Sequence, residues 1–163
     1  MWPERVQRVA AFVRESRAEV RIEEFADETP TVRDAARAVG AEPARIVKSL
    51  VFICDGRPVV ALVPGDRRAD AGKIARAVGA SSARVAKADE VLAATGFEPG
   101  AVAPFPLPGV DRVLIDRTLL GHEEVWVGAG SDHHLAALRP EELLRLTKAL
   151  QMDAVEDRTY HSE

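Results

Sequence analysis

One cysteine, one tyrosine and two methionines are all that this chain of 163 residues carries of those types, and aromatic residues make up only 5% of it. With Cys54 alone no internal disulfide can form, so no cystine framework holds the fold and nothing points to an oxidising compartment. Apolar runs approaching the roughly 20 residues that span a bilayer are missing, so no membrane association is expected. The first residues, Met1-Trp2-Pro3-Glu4-Arg5, lead into an amphipathic stretch rather than the apolar segment of a signal peptide, and a cytoplasmic location is expected. A positive charge excess is missing too. The net charge of -4 excludes a protein that coats DNA or RNA through bulk charge, which rests on many phosphate contacts and counterion release. Contact with an RNA end needs few cations. Arg33, Arg37, Arg45, Arg67, Arg68 and Lys73 are available for it, although solvated faces balanced by nearby acids are the plainer reading of each.

What is present, 47% hydrophobic and 29% charged residues, is the balance of a soluble globular protein with one core of ordinary size, so a single domain over 1–163 is expected. Val6, Val9, Phe12 and Val13 recur at helical spacing and predict a helix over 4–17. Val20 and Ile22 alternate with charged residues as a short strand. Thr31 is a candidate N-cap for a helix carrying Val32, Ala35, Ala36 and Val39, with Gly40 as its stop. Residues 46–54 and 59–63 are rich in β-branched side chains and flank Asp55-Gly56, the clearest hairpin signal in the chain. Asp70 caps a helix with Ile74, Ala75 and Val78 that stops at Gly79. The hexapeptide Ala-Arg-Ala-Val-Gly-Ala occurs at 36–41 and 75–80, and both copies read as helix ends rather than as a repeat. Residues 88–94 suggest a short helix, and 95–110 are dense in glycine and proline. Strands are expected at 113–115, 125–127 and 133–138, and a last helix from Pro140 through Leu150, with a polar tail from about Asp153. The hairpin and the closely spaced late strands favour an α+β fold with a mixed, largely antiparallel sheet.

Alternation along 46–54 puts Ile46, Lys48, Leu50, Phe52 and Cys54 on one face, and Lys48 is the single charge in the strand. A lysine on a mostly buried surface must snorkel, pair with an acid or line a polar cavity, since a desolvated unpaired charge costs several kcal/mol. Gly96, Gly100 and Pro104 lie in a loop whose glycines allow backbone N–H groups to approach a ligand, which an ordinary turn explains as well. Gly128-Ala129-Gly130-Ser131-Asp132-His133-His134 is a small-residue loop running into two histidines, which as strand neighbours face opposite sides. The histidines with His122, His161 and Cys54 form no ligand-spaced cluster, so neither a metal nor a cofactor is expected. A Ser131-Asp132-His133 triad is disfavoured, because triad members meet through the fold and not along three consecutive residues.

Taken in order, Thr31-Val32, Ile46-Val47-Lys48-Ser49-Leu50 with its hairpin, Lys73-Ile74, Thr95-Gly96-Phe97 with the Gly100–Pro104 loop, Asp116-Arg117, the Gly-Ala-Gly loop and the segment Pro140 to Lys148 resemble the YbaK/EbsC/ProX family of aminoacyl-tRNA editing domains over roughly residues 20–150. The resemblance implies a sheet partly closed like a barrel and flanked by helices. It also implies a freestanding hydrolase of the ester that joins a wrong amino acid to tRNA, akin to the editing insertion of prolyl-tRNA synthetase. The strand lysine of the family matches Lys48, as the key active-site residue. Thr31, Gly100, Ala101, Pro104, Gly128, Gly130, Ser131, His133 and His134 are expected around the aminoacyl end. Backbone N–H groups of Gly100 and of 128–130 would complete an oxyanion site. His133, His134 or the substrate's ribose hydroxyl would orient the water. Where YbaK-like members carry Gly-Gly, this chain has Gly100-Ala101, and where they carry a serine and an aspartate it has Gly128 and Leu135. These departures point away from cysteinyl-tRNA and toward a small residue such as alanine or serine. The implied partners are the acceptor end of aminoacyl-tRNA and an aminoacyl-tRNA synthetase, with the protein a monomer or weak homodimer. A non-catalytic module binding tRNA or a synthetase, and a metal hydrolase, are the rival readings.

Overall fold

Local sequence signals place most of the elements in the computed structural model, which describes residues 1–158. Helix α1, Glu4–Glu15, buries Val6, Val9 and Val13, and Phe12 stacks on Phe105 with ring centroids 5.6 Å apart. It ends before the expected residue 17 because Arg17 turns to φ 52°. Strand β1 is Val20–Glu24. Helix α2, Val32–Val39, starts where the Thr31 side chain accepts from the Asp34 N–H and ends at Gly40. Strands β2, Val47–Cys54, and β3, Arg57–Pro64, are joined by Asp55 and Gly56 at φ 48° and 82°, the paired left-handed geometry that fits a two-residue hairpin. Helix α3, Ala71–Ala77, is capped by Asp70. The order continues with β4 (Ala83–Val85), α4 (Ala88–Thr95), β5 (Arg112–Asp116), β6 (Val125–Ser131), β7 (His134–Leu138), α5 (Pro140–Thr147) and β8 (Leu150–Met152).

The strands form two sheets, β1-β7-β6 and β4-β2-β3-β5-β8. Four pairings, β1–β7, β6–β7, β2–β3 and β2–β4, are antiparallel, while β3–β5 and β5–β8 are parallel. The fold is therefore mixed and largely antiparallel. Among the described residues the sheets are joined by a single parallel bridge, Ile46 to Trp126, and do not close into a barrel. The largest core cluster takes Val47, Val51, Val60 and Leu62 from one sheet, Val125, Val127, Ala136 and Leu138 from the other, and Val9, Phe97 and Phe105 from outside both. Each such Val, Leu or Phe side chain, fully buried, stabilises the fold by about 1.5–3 kcal/mol.

The C-terminal region departs from expectation. Helix α5 stops at Thr147 because Lys148 adopts φ 53° and closes the helix with an N–H bond to Leu144. Leu150 then opens β8 beside β5 instead of continuing the helix. The segment expected as a polar tail is built into the fold. Ala154 and Val155 are buried, Val155 bridges to Ala69, and the Ala154 N–H donates to Asp116 Oδ1 at 2.8 Å. Lys73 Nζ bonds Asp153, the Val155 carbonyl and Asp157 at 2.7–2.8 Å.

Candidate active site

Beyond the Ile46–Trp126 bridge the two sheets part, and a cavity of about 320 Å³ lies in the opening. Its lining comes from 46–50 of the β2 region, Val127 and Gly128 of β6, Leu135 of β7, the start of α2 with the segment before it, and Gly100 and Val102. The walls are mostly aliphatic. Their polar side chains are Thr29, Thr31, Lys48 and Ser49, and Lys48 is the one charged residue among the described residues that line the cavity.

Lys48 is half-buried, and its Nζ donates to the Arg67 carbonyl at 2.5 Å. Burial holds its pKa below the ordinary 10.5, against the attraction of Asp66 and with the help of Arg68. An ammonium carries three N–H donors, so the bond to Arg67 leaves two for other acceptors. Thr31 Oγ1 donates to Asp34 Oδ2 at 2.7 Å and accepts from the Asp34 N–H, so its hydroxyl serves the α2 cap at the cavity rim. Thr29 is buried, and its N–H and Oγ1 both donate to the Asp132 carbonyl, at 2.5 and 2.9 Å, tying this rim to the β6–β7 turn. Ser49 Oγ is enclosed and has no hydrogen-bond partner among the described residues. Sequence reasoning passed over Thr29 and Ser49; the signal for Ser49 was a lone hydroxyl beside the lone charge of the strand.

The structure brings Lys48, Thr31, Gly100 and Gly128 together around this cavity and places the other candidates elsewhere. At Gly128 a Cβ would stand 2.5 Å from the Val102 carbonyl oxygen, so glycine is what lets β6 approach the 101–104 loop. Gly130, expected at the oxyanion site, instead receives helix α1: a Cβ there would stand 3.0 Å from the Arg5 backbone. Ala101 and Ser131 line a different, more open cleft of about 660 Å³ with Arg5, Arg8 and Asp132, and the Ala101 N–H donates to the Glu98 carbonyl. Pro104 lies in an apolar groove with Phe12, Phe105 and Leu146.

Neither histidine reaches the cavity, which corrects the expectation that one of them orients the water there. His133 sits in the turn before β7 with Nδ1 bonded to the Phe25 carbonyl at 3.0 Å. His134 is buried, with Nδ1 2.5 Å from Ser131 Oγ, Nε2 3.5 Å from Glu24 and the Trp2 ring edge-on at 5.2 Å. Burial holds its pKa below the usual value, against the pull of Glu24. Ser131 Oγ also accepts from the His133 N–H at 3.0 Å, so these side chains knit the β6–β7 turn. Among the described residues no three of His, Cys, Asp and Glu gather as metal ligands, and His161 lies outside the described residues. No helix among them is long and apolar enough to cross a membrane.

A profile of the aminoacyl-tRNA editing domain matches residues 26–146. The proline–tRNA ligase of Nitratidesulfovibrio vulgaris (strain DP4) is 39% identical over 106 residues, which are 64% of this chain but 18% of the ligase. The uncharacterized protein YwhH of Bacillus subtilis (strain 168) is 36% identical over 123 residues, 75% of this chain and 78% of YwhH. A crystal structure of a proposed trans-editing enzyme for prolyl-tRNA synthetase superposes with a TM-score of 0.88 at 37% identity, covering 96% of this chain and all of the other.

Proposed function

This chain belongs to the aminoacyl-tRNA editing domain family, and we propose that it deacylates tRNA mischarged with a small amino acid, alanine or serine ahead of cysteine. The observation that carries this reading is the position of Lys48 as the only charge among the described residues that line an aliphatic cavity of about 320 Å³. Such a cavity excludes large side chains better than it separates small ones, because one methylene is worth only about 1–3 kcal/mol. Gly128 and Leu135 on its wall leave no hydroxyl or carboxylate at those two positions to favour a thiol. Since the relatives include proline–tRNA ligases, tRNA charged in error by prolyl-tRNA synthetase is the first substrate to test.

In the reaction a water oxygen attacks the ester carbonyl carbon, the bond from that carbon to the terminal ribose oxygen breaks, and the ribose oxygen takes a proton from the water. Free amino acid and uncharged tRNA leave. Negative charge collects on the carbonyl oxygen during attack, and groups placed in advance to meet it lower the barrier most. Lys48 supplies a fixed ammonium to orient the carbonyl or the ribose, and the Gly100 backbone N–H adds a neutral donor. With both histidines outside the cavity, the substrate's own ribose hydroxyl is the group that holds the water.

The test is release of amino acid from a panel of alanyl-, seryl-, cysteinyl- and prolyl-tRNA carrying the proline anticodon. Turnover of the alanyl or seryl ester, lost in Lys48→Ala, is expected. Undiminished turnover in Lys48→Ala would overturn the mechanism, and tRNA binding without turnover of any ester would select a binding module instead.

A further inference from the structure

Five consecutive residues, Ile46 to Leu50, line the cavity. Side chains alternate between the faces of a strand, so a cavity against one face is lined by every second residue. Lining by consecutive residues puts this cavity against the strand's edge, where the backbone itself is wall.

The direction of each amide follows from bonds on either side of β2. The Gly65 N–H donates to the Ile46 carbonyl at 2.8 Å, on the β3 side, and the Ala86 N–H donates to the Val51 carbonyl at 2.9 Å, on the β4 side. In an antiparallel strand the N–H and C=O of one residue point the same way, and the direction alternates along the chain. The Ile46 carbonyl and the amides of Lys48 and Leu50 therefore bond toward β3, and Val47, Ser49 and Val51 point away from it. On that outer side β4 pairs only with Phe52 to Cys54, and β6 meets the strand only at the Ile46–Trp126 bridge. Among the described residues neither β4 nor β6 pairs with Ser49, whose amide faces the cavity between them.

We propose that the open edge at Ser49 reads the main-chain atoms of the aminoacyl group: the Ser49 N–H donates to the ester carbonyl oxygen, and the Ser49 C=O accepts from the α-ammonium. An aminoacyl ester offers its nitrogen and its carbonyl from a single residue, with the spacing that a strand residue offers its opposite partner in a hydrogen-bonded antiparallel pair. The substrate thus completes one rung of a ladder that β6 leaves unfinished. The Ser49 N–H is then an oxyanion donor, and the carbonyl beside it selects α-amino acids over plain acyl groups whatever their side chain. This rests on the deacylase reading of the same cavity, and discrimination by size is left to Val32, Val102 and Leu135.

The experiment replaces serine at position 49 of the full chain by its α-hydroxy analogue, which turns the Lys48–Ser49 amide into an ester, removes the N–H and weakens the Lys48 carbonyl as an acceptor toward β3. Loss of an oxyanion donor lowers turnover about 100- to 1,000-fold, so a fall of that size is expected in a chain that remains folded by circular dichroism. Ser49→Ala, which keeps the amide and removes only Oγ, is expected to lose far less turnover than the backbone ester. Propionyl-tRNA, which lacks the α-ammonium, is expected to be a poorer substrate than alanyl-tRNA after each is normalised to its uncatalysed hydrolysis. Wild-type-like turnover in the backbone ester overturns the proposal, as does an equal loss in Ser49→Ala, which would assign the effect to Oγ. A wild-type protein inactive on every ester sinks the deacylase reading and this one together, whereas active wild type with an unaffected backbone ester sinks this one alone.

Discussion

Gly128→Ala adds a single methyl group where the structure has no space for it. The new Cβ would lie 2.5 Å from the Val102 carbonyl oxygen, about 0.9 Å short of the 3.4 Å at which ordinary contact begins. The neighbour is backbone, so the strain cannot be relieved by a rotamer change, and either β6 or the 101–104 loop must move. Overpacking of this kind costs about 1–3 kcal/mol. At about 2–4 °C per kcal/mol for a chain of this size, a fall in Tm of about 2 to 12 °C is expected by calorimetry. Gly128 and Val102 both line the cavity beside Lys48, so the same displacement disturbs the proposed site. A misplacement near 1 Å costs on the order of 100-fold in rate, and deacylation should fall by that order at temperatures where the variant is fully folded. Gly121→Ala is the control: it too replaces a glycine, but nothing lies within 4 Å of its Cβ. Equal Tm and equal kcat/KM in the two variants would refute the close-approach argument.

Three further outcomes follow from named groups. Because burial lowers the Lys48 pKa below 10.5, the unfolded chain binds more protons than the folded one between the two values, so stability rises with pH across that window. Lys48→Met should abolish the rise in urea denaturation series, and in wild type deacylation corrected for background hydrolysis should decline as pH climbs through the folded pKa and the ammonium is lost. Asp116, buried, accepts from the Ala154 N–H at 2.8 Å, the Thr118 N–H at 3.2 Å and the Thr118 hydroxyl. Asp116→Asn replaces one acceptor oxygen by a donor and should cost about 1.5–3 kcal/mol, read from the urea midpoint, with faster proteolysis of residues 153–158. Arg145 and the Glu19 N–H hold Glu142 down at about 2 from the usual 4.5, so its contribution is present above pH 4.5 and is lost as pH falls toward 2. Glu142→Gln should flatten that part of the acid limb, and an NMR titration should place the wild-type carboxyl near the lower value.

Elements marked by their own residues were legible in the sequence. Thr31 and Gly40 bracket α2, and Asp55-Gly56 sets the β2–β3 hairpin, because caps and two-residue turns depend on atoms within a few residues. Strands β4 and β8 were not legible. At three residues each they carry no periodicity, and they exist because β2 and β5 offer edges to them. The buried Ala154 and Val155 escaped notice for a similar reason, since the groups that hold them, Asp116 and the Ala69 backbone, lie far away in sequence. At the site, Lys48 stood out as a lone charge on an apolar strand. Gly130 was misread because a glycine needed for the approach of α1 has the same appearance as one needed for a ligand. The two histidines were misread because adjacency says nothing of Ser131 turning back to bond His134.

The cavity owes its existence to where pairing stops. If β6 continued along β2 past the Ile46–Trp126 bridge, the sheets would seal, Val47 and Ser49 would bond to β6, and the space beside Lys48 would vanish. An unpaired edge usually invites another strand, but here the segment 29–32 and the loop at Gly100 and Val102 stand over it and leave a space the size of a small molecule. The Ser49 amide has no strand partner at that edge among the described residues, and the half-buried ammonium of Lys48 carries a desolvation cost, visible in its lowered pKa. The two groups belong to adjacent residues of one strand. A ligand that brought a carbonyl and an amine to that edge would meet them together, and an aliphatic side chain on the same ligand would find Val32, Val102 and Leu135. One interruption in strand pairing thus accounts for the location of the cavity, its mixed chemistry and the class of group that fits it.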